Sequence, residues 1–258
     1  MSEHARRLLQ RGLTVLICIL MGAVSVKYIM AIGEGAGHKV VATWLTLFAG
    51  TTLSALTYLA YEERRTRDWL SNSANLIDVA MAGAILVAVL WAHGSTLPDF
   101  PFWHKVCLAL IIPIWWLWWR QDSAMGGYAV AQCMLTIGYF PQWGTQWGAS
   151  ANAEPFMIWY TIFGISLLAA LNGYVGGSVA SMVYGLRSAT VVSIGLLLMC
   201  RLEWYGHEMG GFAITLFALP ALVYLTLIGW WLSRHLREIV EAGVAWLLTE
   251  VFHLPFAD

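Results

Sequence analysis

The sequence predicts an all-α membrane protein of about eight transmembrane helices, and three observations carry that prediction. The chain of 258 residues is 59% hydrophobic and only 11% charged, where ordinary soluble domains hold roughly 25% charged residues. Its charges gather in short stretches between apolar runs of about twenty residues, the length that a hydrocarbon core demands. A short phrase is also written twice, as Trp44-Leu45-Thr46-Leu47-Phe48 and Trp159-Tyr160-Thr161-Ile162-Phe163, at an offset of 115 residues. Ala55-Leu56 follows the first copy at the same distance as Ala170-Leu171 follows the second. Such an echo predicts two related units, and duplicated units in membrane proteins place pathways at their mutual interface near mid-bilayer.

The first apolar run, over 13–32, follows Arg6, Arg7 and Arg11. It exceeds a signal-peptide core and reaches Lys27 with no small-residue cleavage site, so a retained first helix is expected. Further spans are expected over 40–61, 73–93, 103–119, 127–147, 155–173, 178–200 and 211–233. Only Arg120-Gln121-Asp122 divides the fourth from the fifth. Over 234–252, Leu236, Ile239, Val240, Val244, Leu247, Leu248 and Val251 recur at helical spacing, with Arg237, Glu238, Glu241 and Glu250 mainly opposite. That pattern predicts an amphipathic helix lying on the membrane face, or docking on its own protein or on a partner.

Arginine places the ends. Arg6, Arg7, Arg11, Arg64, Arg65, Arg67, Arg120, Arg234 and Arg237 fall on one side of an eight-span path, while Lys39, Lys105 and Arg201 on the other are balanced by Glu34, Asp99, Glu203 and Glu208. By the positive-inside rule both termini are cytoplasmic, as in a bacterial inner membrane protein. A net charge of -1 and the lack of a polybasic tail give nucleic acid nothing to bind. Cys18, Cys107, Cys133 and Cys200 stand singly in or at the end of apolar runs and read as small buried hydrophobes.

Asp78 and Arg187 are the most suggestive pair. Each lies in the third helix of its unit, roughly 10–14 Å along it from the inward end. Ionisable groups at that depth are costly, and a pathway role or a mutual structural pair both account for them. Arg187 could also snorkel to the surface. Asn75 and Tyr184 lie one turn before them and are expected on the same faces. Trp44 and Trp159 sit a few residues inside their spans, where rings can serve as platforms for a ligand. Most other tryptophans, among them Trp115, Trp116, Trp118, Trp119, Trp143, Trp147, Trp204, Trp230 and Trp231, fall near span ends and read as interface anchors. Asn172, near an inward helix end, reads as a cap. His93, His104, Glu203, His207 and Glu208 gather in outward loops without a metal-binding motif, so no metal or cofactor is expected. Neither nucleophile motifs nor phosphate loops occur, and no enzymatic activity is expected.

Gly138-Tyr139-Phe140-Pro141-Gln142 opens the second unit. A proline within a membrane helix frees a carbonyl and leaves a bend, and the glutamine after it can bond freed backbone or a ligand. The Pro141-Gln142 pair, followed by a helix with Trp159 and then a third helix, resembles the three-helix unit of the PQ-loop transporter superfamily, which includes the SWEET and SemiSWEET sugar transporters. The resemblance covers 13–200. It implies two parallel three-helix repeats joined by a linker helix, a 3+1+3 plan: 13–93, linker 103–119 and 127–200. The span 211–233 and the interfacial helix 234–252 are additions. Val26-Lys27 stand where the first unit should carry its own Pro-Gln, a departure from the pattern. The resemblance implies a carrier for a small polar solute, sugar- or vitamin-like, working by alternating access. Trp44, Asn75, Asp78, Gln142, Trp159, Tyr184 and Arg187 would line its pocket, and Pro141 would be a hinge. The alternative is a non-enzymatic membrane subunit that anchors or assembles a larger complex, as a homo-oligomer or through the amphipathic tail.

Overall fold

The computed structural model describes residues 3–35, 40–61, 73–94, 100–121 and 124–203. Several expectations lie outside them: the span 211–233, the helix 234–252, the loop arginines 64, 65 and 67, and residues 207 and 208. The secondary structure among the described residues is helical, without strands: α1 (Glu3–Gly33), α2 (Val41–Tyr61), α3 (Ser73–His93), α4 (Phe102–Ala109), α5 (Ile111–Trp119), α6 (Ala124–Ile137), α7 (Phe140–Gly148), α8 (Phe156–Gly176) and α9 (Val179–Glu203). Five stretches are long and apolar enough to cross a membrane: α1, α3, α4 with α5, α8 and α9, with a shorter apolar stretch in α2. The chain is therefore an α-helical membrane protein by length and composition.

Three boundaries differ from the sequence expectation, each for a local reason. Helix α1 takes in all three N-terminal arginines and runs 31 residues, about 46 Å at the helical rise. The fourth span breaks at Leu110, because Pro113 has no N–H for the carbonyl of Ala109 and its ring crowds that carbonyl. The fifth span breaks at Gly138-Tyr139, and Pro141 opens α7 in the first turn, where a missing N–H costs nothing.

Contacts between helices follow a reciprocal pattern. Helix α3 packs on both α1 and α2, and α9 packs on α8 and on α6 and α7. Across the bundle α1 packs on α8, while α2 packs on α6. Helices α4 and α5 lie against α2, α4 also against α7 and α5 against α6. The end of the bundle holding Gly33 and Phe156 is called upper below, and the end holding Glu3 and Gly176 lower.

In a bilayer, helices associate by close packing rather than by hydrophobic exclusion, so small residues mark the tightest seams. A Cβ on Gly185 would fall 2.3 Å from the Ala170 nitrogen and 2.8 Å from the Ser166 carbonyl oxygen. One on Gly173 would fall 2.4 Å from the Met182 nitrogen. Helices α8 and α9 thus touch backbone to backbone, and the Ser166 and Ser188 hydroxyls share a hydrogen bond of 2.8 Å across the seam. The α2–α6 seam is looser and reciprocal: Gly138 receives Leu47, and Gly50 receives Leu135. At the lower end α8 stops at Gly177, whose φ of +70° suits glycine. There Ser178 N–H bonds the Gly173 carbonyl at 2.9 Å, and Arg6 Nε of α1 donates to the Val175 carbonyl. Ser178 then caps α9, accepting from the Ser181 N–H at 3.3 Å.

Candidate functional site

The seven residues expected to line one pocket occupy two sites and one helix seam. Trp44 and Trp159, the residues of the repeated phrase, converge on a single ring: Tyr28 lies 5.3 Å from Trp44 and 6.5 Å from Trp159. Gln142 joins them through a residue that sequence reading passed over. Glu154, in the segment between α7 and α8, is 3% exposed. Its Oε1 accepts from Gln142 Nε2 at 2.7 Å, and its Oε2 accepts from Trp159 Nε1 at 3.0 Å and from the Tyr28 hydroxyl at 3.3 Å. Asn152 fixes the backbone of Glu154 in both directions, donating to its carbonyl at 3.0 Å and accepting from its N–H at 3.1 Å. One carboxylate thereby ties α1, α7 and α8 together at the upper end.

About one helical turn lower, roughly 6 Å along α1 from Tyr28 to Val24, a cavity of about 40 Å³ opens. Asp78 of α3, Tyr139 of the α6–α7 break, Ser166 of α8, and Tyr184 and Ser188 of α9 line it, with Met21 and Val24 of α1. Tyr139 also forms the partition from the upper site, its ring 6.5 Å from Trp159 and 6.2 Å from Trp143. Asp78 Oδ1 is buried and accepts no hydrogen bond, and the Tyr184 hydroxyl is likewise without a partner.

Arg187 is only 2% exposed and does not snorkel. Its Nε donates to Gln132 Oε1 at 3.1 Å, and its guanidinium stands 5.1 Å from the centre of the Tyr184 ring. The direct Asp78–Arg187 pair, one of the readings the sequence leaves open, does not form: among the described residues the ion pair present is Arg7 with Glu3. The reason is topological. Helices α3 and α9 have no extended contact with each other, and Gln132 on α6 meets the arginine first.

Asn75 departs from the face expected for it. Its Nδ2 donates to Ser54 Oγ at 2.9 Å and ties α3 to α2, away from the cavity. Asn172 is no cap either; it is buried in α8 and donates to Thr14 Oγ1 of α1 at 3.4 Å. Trp143, read as an interface anchor, is half-buried, its ring against Tyr139 and the exposed Phe140. Trp118 donates to Thr57 Oγ1 at 2.6 Å, whereas Trp119 and Trp147 are exposed as expected of anchors. Gln146, one turn after Gln142 on α7, is fully buried with neither amide atom hydrogen-bonded. No group of three or more His, Cys, Asp or Glu stands together among the described residues.

Glu154 left a signal in the sequence: it is the single charged residue between Asp122 and Arg187. Tyr28 and Gln132 left none, being ordinary residues of apolar helices, and Tyr139 shows only as a neighbour of the Pro141-Gln142 pair. Comparison with protein-family models, curated proteins and solved structures returned no match.

Proposed function

We propose that the chain is a membrane carrier of SWEET-like layout, moving a small polar solute by alternating access between two three-helix units. The units are α1–α3 and α6–α9, the broken pair α6–α7 counting as one span, with α4–α5 as linker. The observation that carries this reading is the cavity, where Asp78, Tyr184 and the Ser166–Ser188 pair converge beside a buried Arg187. Ionisable groups at such depth mark solute or ion paths by default. Reciprocal packing supports the two-unit plan: in each unit the third helix touches the other two, and the units meet through α1 on α8 and α2 on α6. A cavity of about 40 Å³ holds on the order of three waters. A larger solute therefore requires these seams to part, with the α6–α7 break at Pro141 as one flexing point. The arginine distribution favours an inner-membrane protein with both termini in the cytoplasm.

The test is flux. Purified protein in liposomes should exchange small polar solutes, and Asp78→Asn should abolish exchange of the solute that wild type carries while leaving the protein folded. Liposomes with wild-type protein that behave like empty ones across a solute screen would sink the carrier reading. A second reading, a non-enzymatic subunit of a larger membrane complex, draws on the small size of the cavity and on the Glu154 knot that ties α1 to α7 and α8. It expects a stoichiometric partner on mild solubilisation, with Asp78→Asn leaving that assembly intact.

A further inference from the structure

Two opposite charges stand in one membrane bundle, Arg187 fully buried and Asp78 half-buried with its Oδ1 enclosed, and they do not pair. Arg187 commits Nε to the neutral oxygen of Gln132 and lays its guanidinium over the Tyr184 ring. Asp78 faces the cavity with Oδ1 unbonded. Ionised groups so far from water persist when each has a partner of opposite sign. Closing the pair on itself is the simplest way to provide that, and the fold instead directs the arginine to α6. The cavity reaches Asp78 and the Tyr184 ring that Arg187 covers; the unbonded Tyr184 hydroxyl adds a group that both donates and accepts, and the two serine hydroxyls, their protons held by the Ile162 carbonyl and by each other, add acceptors.

We infer that this cavity is a binding site for a small zwitterion, one that carries an ammonium and a carboxylate on a short skeleton. The ammonium sits against Asp78, and the carboxylate turns toward the Arg187 guanidinium and the Tyr184 hydroxyl. The inference rests on the carrier reading for its location and names the solute class. Charge decides among ligands. The two side chains sum to zero, so a ligand with one charge of each sign neutralises both and leaves nothing uncompensated in the bilayer. An amine or a carboxylate alone answers one charge and strands the other; a sugar answers neither. The other faces are silent: α1 offers Met21 and Val24, α8 offers Ile162, Ile165 and Ala169 beside Ser166, and the α6–α7 break offers the Tyr139 phenol. Room for about three waters fits a skeleton of glycine's size after slight opening.

The test uses the full-length protein in detergent and in liposomes, with glycine, ethylamine, acetate and glucose as probes. Glycine should raise the thermal midpoint and enter liposomes, with ethylamine and acetate binding about tenfold or more weakly, the worth of one charged hydrogen-bonded contact. Asp78→Asn should shift preference from glycine to acetate, and Arg187→Gln from glycine to ethylamine. Should Arg187→Gln fail to fold, the shift in Asp78→Asn still carries the assignment. Glycine binding without uptake upholds the site and overturns the carrier reading. Glucose uptake with no glycine binding overturns the zwitterion assignment and leaves the carrier reading standing. Failure of glycine to bind at all, or equal glycine binding by Asp78→Asn and wild type, also overturns the assignment.

Discussion

Glu154, buried, and Asp78, half-buried with its Oδ1 enclosed, are both carboxylates set among helices about one turn apart in height, and their surroundings are opposite. Glu154 receives hydrogen bonds from three side chains on three helices. Asp78 receives none and faces a cavity. The difference separates two uses of a costly group. A carboxylate whose lone pairs are met by fixed donors holds structure together, since removing it strands every donor at once. A carboxylate with unmet lone pairs contributes little to the fold and is left available for something that comes and goes.

The largest expected effect removes the comparison by removing the scaffold under both sites. Gly185→Leu must drive a side chain into the Ala170 and Ser166 backbone, where no rotamer can relieve it. The loss should exceed about 3 kcal/mol, the upper range for overpacking, and fluorescence-detected size exclusion should show little monodisperse protein. Next comes Glu154→Ala, which strands Gln142, Trp159 and Tyr28 and should cost about 3 kcal/mol, at roughly 1 kcal/mol, the low end for an unmet buried donor, for each of the three. A drop in thermal midpoint well below that of any conservative variant would support the structural role; an unchanged midpoint would refute it.

Tyr28→Phe sharpens the same point. It deletes the longest of the three bonds, at 3.3 Å, and keeps the ring against Trp44 and Trp159, so about 1 kcal/mol or less is expected. The smallest stability effect belongs to Asp78→Asn, within about 1 kcal/mol of wild type because no hydrogen bond to it is lost, while its flux falls to background. If Asp78→Asn unfolds as readily as Glu154→Ala, the distinction between the two carboxylates collapses.

Most helices were legible because a twenty-residue apolar run has few alternatives in a bilayer, and α2, α3, α8 and α9 begin and end close to the runs that announced them. Breaks were less legible. Pro113 and Pro141 were visible, yet a proline does not say whether a helix bends and continues or stops and restarts. The site was half legible. Depth pointed to Asp78 and Arg187, and the repeated phrase pointed to Trp44 and Trp159, which meet at Tyr28. Partner choice was hidden, because Arg187 has a long side chain and Gln132, 55 residues earlier in the chain, reaches it first. Asn75 shows the limit of helical spacing: three residues from Asp78, it turns to Ser54 on the neighbouring helix. Glu154 was missed because periodicity says nothing about a connecting segment, although its isolation as a charge was there to be read.

The leucine-in-glycine notches of α2 and α6 carry a mechanical consequence. Leu47 fills the space at Gly138 and Leu135 fills the space at Gly50, close enough that an added methyl would sit 2.9 Å and 3.0 Å from the leucine side chains. Two studs set in opposing sockets block sliding along the helix axes and leave tilting as the soft direction. The seam thus holds the two helices in axial register, and a change in their mutual angle disturbs it less than a shift of one along the other.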